Sequence, residues 1–208
     1  MKVVEHITKG ELFQIGEAIG EAFVTNELFH EFGDLQERKS IVMKYMHAYV
    51  QCTYESGCLY QSEDGKAFIG LAYSDQKNIL PKLKMLWKVL RAIPFSKAKR
   101  FMNHIGEIAD GNKEYTKDLY LEVLMVCVLP GFQGQGRTRE LFQFAKDMAM
   151  KRNVPVLFDT DMENYAKIYQ HYGCELYHTK TASNGVTRYN LIWKPSFASE
   201  SVDRSGKE

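Results

Sequence analysis

The segment Val128-Leu129-Pro130-Gly131-Phe132-Gln133-Gly134-Gln135-Gly136-Arg137-Thr138-Arg139 carries the strongest chemical signal in the chain. An apolar strand runs into a Gly-rich turn, and a helix opens at the turn. Glycine lets the backbone come close to a ligand and point successive N–H groups one way. The helix N-terminus adds partial positive charge, so an anion, most simply a phosphate, is favoured there. Arg137 and Arg139 add full charge. By itself the same spacing also fits a tight strand-to-helix turn whose glycines serve geometry alone. Two common phosphate motifs are excluded. GxxxxGK[ST] is absent, and Arg139 stands where GxGxxG needs its last glycine. HExxH and GxSxG are absent too, which removes zinc proteolysis and α/β-hydrolase chemistry.

Two further groups are candidates for proton chemistry. Glu122 lies within Tyr120-Leu121-Glu122-Val123-Leu124-Met125-Val126, an otherwise apolar strand. A carboxylate there is partly desolvated, and its pKa rises towards a base's working range; a glutamate facing water at the start of the strand is the structural alternative. Tyr165, Tyr169 and Tyr172 share one predicted helix, where packing must account for some of them. The six histidines show no ligand spacing. Cys52, Cys58, Cys127 and Cys174 each sit in or beside an apolar run and form no CxxC pair. Free thiols in a reducing compartment are expected, without disulfide or zinc, and hence a cytoplasmic protein with no metal.

Gln133-Gly134-Gln135-Gly136-Arg137-Thr138 resembles the Q/R-x-x-G-x-G/A loop of the GCN5-related N-acetyltransferases. Gln133 takes the first position and Gly136 the fourth. Thr138 stands where the family has Gly or Ala; it crowds the pyrophosphate slightly, and its hydroxyl can donate to it. The preceding Val-Leu-Pro is similar to the family's Val-x-Pro. Asn164-Tyr165-Ala166-Lys167-Ile168-Tyr169-Gln170-His171-Tyr172-Gly173-Cys174 is similar to its Asn…Tyr-x-x-x-Gly-Phe segment, with Cys174 replacing Phe. These motifs cover Leu119 to Cys174, and the element order matches from Val3 to Trp193.

The resemblance implies acetyl-CoA as cosubstrate and a single α/β domain with a mixed, twisted sheet, splayed between two parallel strands and carrying helices on both faces. The cofactor would lie in the gap. Its pantetheine arm and acetyl carbonyl would meet the backbone of Val126, Cys127 and Val128. Its pyrophosphate would meet Gln133, Gly134, Gln135, Gly136, Arg137, Thr138 and Arg139, and Asn164 would contact the arm. Acetyl would pass directly to an amine, with Tyr169 protonating the leaving sulfur, Glu122 the candidate base, and Cys127 a small core residue. A phenol suits the acid role, since a pKa near 10 keeps it protonated at neutral pH. Glu27, Glu31 and Asp34 are rival bases, because the loop they occupy borders the family's acceptor site; a water-relayed path without a dedicated base also fits. The acceptor is expected to be a small-molecule amine, and a homodimer is common in the family. The alternatives are a CoA-binding sensor with little turnover, or an adaptor that contacts membrane or nucleic acid.

The predicted elements place these groups on a regular frame. A strand over Val3–Ile7 precedes a helix capped by Thr8 with Glu11, and Asp34 with Glu37 opens a second helix. Thr25–Gly33 between them reads as a loop rich in Phe and Glu, which favours a cationic amine with an apolar portion. Gly57–Ser62 and Ala67–Ser74 form a hairpin around Asp64-Gly65. Then follow a strand over Leu119–Val128, a helix over Gly134–Lys151, a strand over Val154–Asp159 and a helix over Glu163–Tyr172. Strands over Glu175–Thr181 and Val186–Trp193 close the order, which is that of an α/β layer fold.

The chain of 208 residues is sized for one domain, expected over 1–194, with a polar, disordered tail from Pro195. Its 27 basic and 26 acidic residues exclude a globally basic nucleic-acid binder. No stretch approaches 18 uncharged apolar residues, so no membrane span is expected. Charge is nonetheless segregated. Gln76 to Ile105, within an insertion over about 76–112, holds eight Lys or Arg and no Asp or Glu. Leu83, Leu86, Trp87, Leu90 and Ile93 form a helical stripe there, Pro94 breaks it, and a second helix runs from Ser96 to Ala109. The stripe is expected to pack on the fold. The insertion also fits a lid walled by Trp87 and Phe95, or a surface for an anionic partner.

Overall fold

The computed structural model describes residues 1–109, 111–112 and 118–195. β1 (Lys2–Val3), α1 (Lys9–Phe23), a 3-10 helix (Glu27–Phe32) and α2 (Leu35–Glu55) open the chain. β2 (Leu59–Gln61) and β3 (Ala67–Tyr73) form the hairpin, and the insertion folds as α3 (Ile79–Ala92) and α4 (Phe95–Ile108). β4 (Leu121–Val128), α5 (Arg137–Arg152), β5 (Val156–Thr160), α6 (Glu163–His171), β6 (Glu175–Thr181) and β7 (Thr187–Trp193) complete it. Residues 196–208 of the expected tail lie outside the described residues.

The local signals act as read. Thr8 Oγ1 accepts from the Glu11 amide at 3.2 Å while the Thr8 amide donates to Glu11 Oε2 at 2.7 Å. Asp34 and Glu37 close the same box at the head of α2. Each such cap contributes about 1 kcal/mol and fixes where its helix starts. The two helices then approach closely. A Cβ at Gly16 would lie 2.5 Å from His47 Nδ1, and one at Gly20 would lie 2.8 Å from Met43 Sδ.

Among the described residues seven strands form one mixed sheet in the order β1-β2-β3-β4-β5-β7-β6, and β4 with β5 is its parallel pair. Alternation along β4 serves two cores. Met125 and Cys127 pack with α1, α2 and α4 residues such as Ile19, Met46 and Phe101. Leu121 and Val123 pack with α5 and α6 residues such as Leu141, Ala145 and Tyr169. Helices therefore cover both faces, as expected of this class.

Three segments differ from expectation. The first strand stops at Val3, and His6 takes a left-handed φ of 54° before α1. The Thr25–Gly33 segment is helical, and it buries Phe29 and Phe32 instead of presenting them; the Phe32 ring lies 4.9 Å from that of Phe101 on α4. The stripe over α3 is buried only at its end, where Ile93 enters the core. α3 packs on α2 through Met85 and Val89, while Leu83, Leu86, Trp87 and Leu90 face solvent. The row that meets α2 lies one position before Leu86 and Leu90, and Lys84 and Lys88 reach α2 as well, at Glu55 and Gln51.

Candidate active site

Gly131, Gly134 and Gly136 all take left-handed φ values, of 84°, 75° and 77°, and Gly136 is the N-cap of α5. A Cβ built on any of the three meets nothing within 4 Å, so the loop's face is open. Beside it lies a cleft lined by Val128, Gly134, Gly136, Arg137 and Thr138. From α6 across the cleft come Lys167, Ile168, His171 and Tyr172. Gln133 and Gln135 do other work. Their amides donate to the Val128 carbonyl at 3.2 Å and the Gly131 carbonyl at 3.5 Å, which ties the loop to the end of β4. Arg137 is held by Asp64 of the hairpin turn at 2.7 Å. The Ser62 hydroxyl and then the Arg137 guanidinium keep the Asp64 carboxyl down at about 2. Arg139 is exposed and is not part of the cleft wall.

β4 and β5 pair only at Leu121↔Val156 and Glu122↔Leu157, although β4 runs on to Val128 and β5 to Thr160. On its other side β4 stays paired with β3 from Leu121 to Val128, apart from a bulge at Leu124. From Val123 onward, β4 thus presents an unpaired edge. The Leu129 amide donates to the Lys66 carbonyl on the β3 side at 3.0 Å. By strand alternation, the backbone groups of Val128 and Val126 turn to the open side and those of Cys127 turn to β3. The Tyr49 hydroxyl donates to the Leu124 carbonyl at 2.8 Å, so one group on this edge is satisfied by a side chain of α2.

Ionisable groups collect at the fork. Arg188 of β7 donates through Nε and Nη2 to the two oxygens of Asp161, both at 2.9 Å, and through Nη1 to Asp159 at 3.3 Å. Burial pushes the Asp159 carboxyl up, and Arg188 restrains the shift. Burial pushes the Tyr49 hydroxyl well up, with Tyr45, Asp159 and Glu122 adding to it. Glu122 belongs to the last paired position before the fork, where Asn112 Nδ2 donates to it at 3.4 Å. Breaking a buried charge network by removing one partner costs about 3–5 kcal/mol. Arg188→Met is therefore expected to lower the melting temperature by roughly 6–20 °C at neutral pH in a chain of this size. The Asp159 carboxyl, already pushed up by burial, loses the restraint of Arg188, so stability is regained as pH falls through its raised value. Melting curves at pH 7 and pH 5 check this; an equal deficit at both would mean the network is not what holds β5 to β7.

Beyond the fork is a second cleft. The 3-10 helix gives it Glu27 and His30, the β5–α6 junction gives Asp161, Glu163 and Asn164, and β7 gives Tyr189. Its walls are braced by the insertion. His104 of α4 pairs with Glu31, whose Oε2 also accepts from Asn184 at 2.9 Å, and Glu107 accepts from the Ser183 amide at 2.6 Å.

No protein-family model matches the chain, and no curated sequence matches it. Solved structures do. Arylalkylamine N-acetyltransferase 2 from Aedes aegypti aligns over 90 % of this chain and 95 % of its own, with a TM-score of 0.54 and 15 % identity. Histone acetyltransferase HPA2 and related acetyltransferase from Corynebacterium glutamicum aligns over 93 % and 95 %, at 0.59 and 14 %. An agmatine N-acetyltransferase mutant in its apo form aligns over 93 % and 99 %, at 0.57 and 12 %. This is the GCN5-related N-acetyltransferase fold. At such identities the shared property is the fold, and the parted β4 and β5 are its defining feature here.

Within this fold the residues singled out from the sequence divide into groups. Val126, Val128, Gly134, Gly136, Arg137 and Thr138 gather along the open edge and the glycine loop. Asn164 lies in the second cleft, with Glu27 and Tyr189, and not in the one beside the loop. Cys127 is buried and its thiol is pushed up to about 12 by desolvation, which leaves no thiolate for attack. Tyr169 is buried, 5.3 Å from the Phe158 ring and 5.9 Å from that of Phe142, and burial raises its hydroxyl, with Tyr165 and Asp159 adding to the shift. Asp34 is occupied as a cap, its Oδ1 accepting from the Gln36 and Glu37 amides at 2.9 Å. Glu31 is occupied by His104 and Asn184. Tyr49, Asp159, Lys167 and His171 were not anticipated. Asp159 alone carried a signal, being the one acid in the apolar run Val156-Leu157-Phe158-Asp159.

Proposed function

We propose that this protein transfers an acetyl group from acetyl-CoA to the amine of a small cationic acceptor. The observation that carries the reading is the early end of the β4–β5 pairing, which leaves a strand edge running to an open glycine loop at a helix N-terminus. Amide groups on that edge suit the amides of a pantetheine arm, as an added strand would. The loop, with Arg137, Thr138, Lys167 and His171 beside it, suits a pyrophosphate. The second cleft suits an ammonium group through Glu27, since Asp161 on its wall is held by Arg188 and Glu163 by Lys167.

The chemistry follows from those positions. The bound ammonium gives a proton to a carboxylate, and the free amine attacks the thioester carbonyl. The oxyanion that forms is stabilised by a backbone N–H on the β4 edge, for which Val126 is the candidate. Collapse breaks the C–S bond, and Tyr169, kept protonated by its burial, donates a proton to the departing sulfur; the nitrogen, left cationic by the attack, returns a proton to the Tyr169 phenolate as the amide forms. Glu122 and Asp159 stand on the two strands that border the fork and are the candidate bases.

Binding is tested first by thermal shift, since ligand at 100 times its Kd stabilises by about 2.7 kcal/mol. Release of CoA on an amine panel then separates an enzyme from a sensor. No stabilisation by acetyl-CoA or CoA would overturn the reading. The base is found by comparing Glu122→Gln and Asp159→Asn. Loss of the base is expected to lower kcat about 10²-fold for an alkylamine, and little for an arylamine already neutral at pH 7. A variant that loses both activities equally has lost something other than its base.

A further inference from the structure

The two helices of the insertion differ in what they bury. α4 turns Ala98, Phe101 and Ile108 inward. α3 leaves a row of large apolar side chains in solvent: Ile79 is 62 % exposed, Leu80 72 %, Leu83 57 %, Trp87 59 % and Leu90 42 %. Phe95, at the corner between the helices, is 73 % exposed. Ile79, Leu83, Trp87 and Leu90 follow the three- and four-residue steps of one helix face. None of the row, Trp87 and Phe95 included, lines either cleft.

Charge specifies what this face meets. Lys82, Lys88 and Arg91 interleave with the apolar row, and Lys97, Lys99 and Arg100 follow on α4. Among the described residues, Lys84 is the one lysine or arginine of the segment in an ion pair, with Glu55; Lys88 donates to Gln51 and Arg100 to the Glu31 carbonyl. The chain's 27 basic residues less the eight in this segment leave 19 against 26 acidic ones, a net of −7 elsewhere. A surface that attracts the insertion therefore repels the rest of the molecule, which orients it. The Arg91 guanidinium lies 4.4 Å over the Trp87 ring, so charge and apolar surface are presented together.

We propose that α3 and Phe95 dock on an anionic lipid surface, with the apolar row entering the headgroup boundary and the basic residues meeting lipid phosphates. A nucleic acid would use the charge but not the aliphatic row. A second copy placed symmetrically on this face would bring lysines against lysines. No helix among the described residues is long and apolar enough to cross a membrane, so the contact is with the surface. This inference is independent of the acetyl-transfer reading.

The test is co-sedimentation of the full chain with vesicles of phosphatidylcholine alone or with added phosphatidylglycerol. Each basic side chain near an anionic leaflet multiplies partitioning about fivefold, so binding to the anionic vesicles is expected to exceed that to neutral ones by at least about tenfold and to fall with salt. The fluorescence difference between wild type and Trp87→Phe should shift to the blue on binding. Leu83→Glu with Trp87→Glu, both at exposed positions, should abolish binding and leave the melting temperature and acetyl-CoA response unchanged. Binding that ignores lipid charge, survives the double variant or is absent from both vesicles overturns the proposal. So does a dimer that the double variant returns to monomer while vesicles bind neither, since the face would then join copies of this chain.

Discussion

Gly136→Asp is expected to abolish binding of acetyl-CoA and CoA and leave the protein folded. Gly136 has φ 77° and caps α5 with its Cα facing open space. A left-handed conformation costs an ordinary residue about 1–2 kcal/mol, but Asp is among the side chains that tolerate it. Asp is also a preferred N-cap, which offsets part of that cost. The new carboxylate would stand where the loop amides and the helix dipole otherwise meet the pyrophosphate. Two unit charges 4 Å apart near a protein surface interact with about 4 kcal/mol, so a loss of at least about 100-fold in affinity follows. Titration calorimetry reads it directly. Gly136→Ala carries the backbone strain without the charge and should retain most of the affinity. If the Asp variant is folded and binds CoA within a few-fold of wild type, the pyrophosphate is not held at this loop.

Tyr169→Phe is expected to lower kcat by about 10²–10⁴-fold, the usual contribution of a general acid, with acetyl-CoA affinity nearly unchanged. The ring is packed against Phe142 and Phe158, which stack on each other, and phenylalanine keeps that packing. Only the hydroxyl is removed. Its raised pKa means that it is protonated throughout the neutral range, so the variant's loss should not be recovered between pH 6 and 9. A hydroxyl that served packing alone would give a different result: stability lower by about 1 kcal/mol and kcat little affected. Tyr172→Phe is the informative control, because Tyr172 lines the cleft beside the glycine loop while Tyr169 does not. Turnover abolished in Tyr172→Phe and intact in Tyr169→Phe would assign the acid to Tyr172.

What the sequence determined was whatever depends on neighbours a few residues apart. The boxes at Thr8 and Asp34, the turn at Asp64-Gly65 and the glycine turn before α5 are local, and each formed where its residues required. The family resemblance rested on the same local segments, and the element order therefore carried the fold with it. Tertiary structure decided which groups face one another. Nothing local says that β4 and β5 part after Glu122, since that is set by how two strands are held by different neighbours, β3 on one side and β7 on the other. Nothing local pairs Arg188 with Asp159 and Asp161, or brings Tyr49 to the Leu124 carbonyl across 75 residues of sequence. The same physics explains the inverted expectation at α3. Periodicity shows that a helix has an apolar face, but only packing decides which row is buried, and α2 takes Met85 and Val89, leaving Leu83 and Trp87 to the outside.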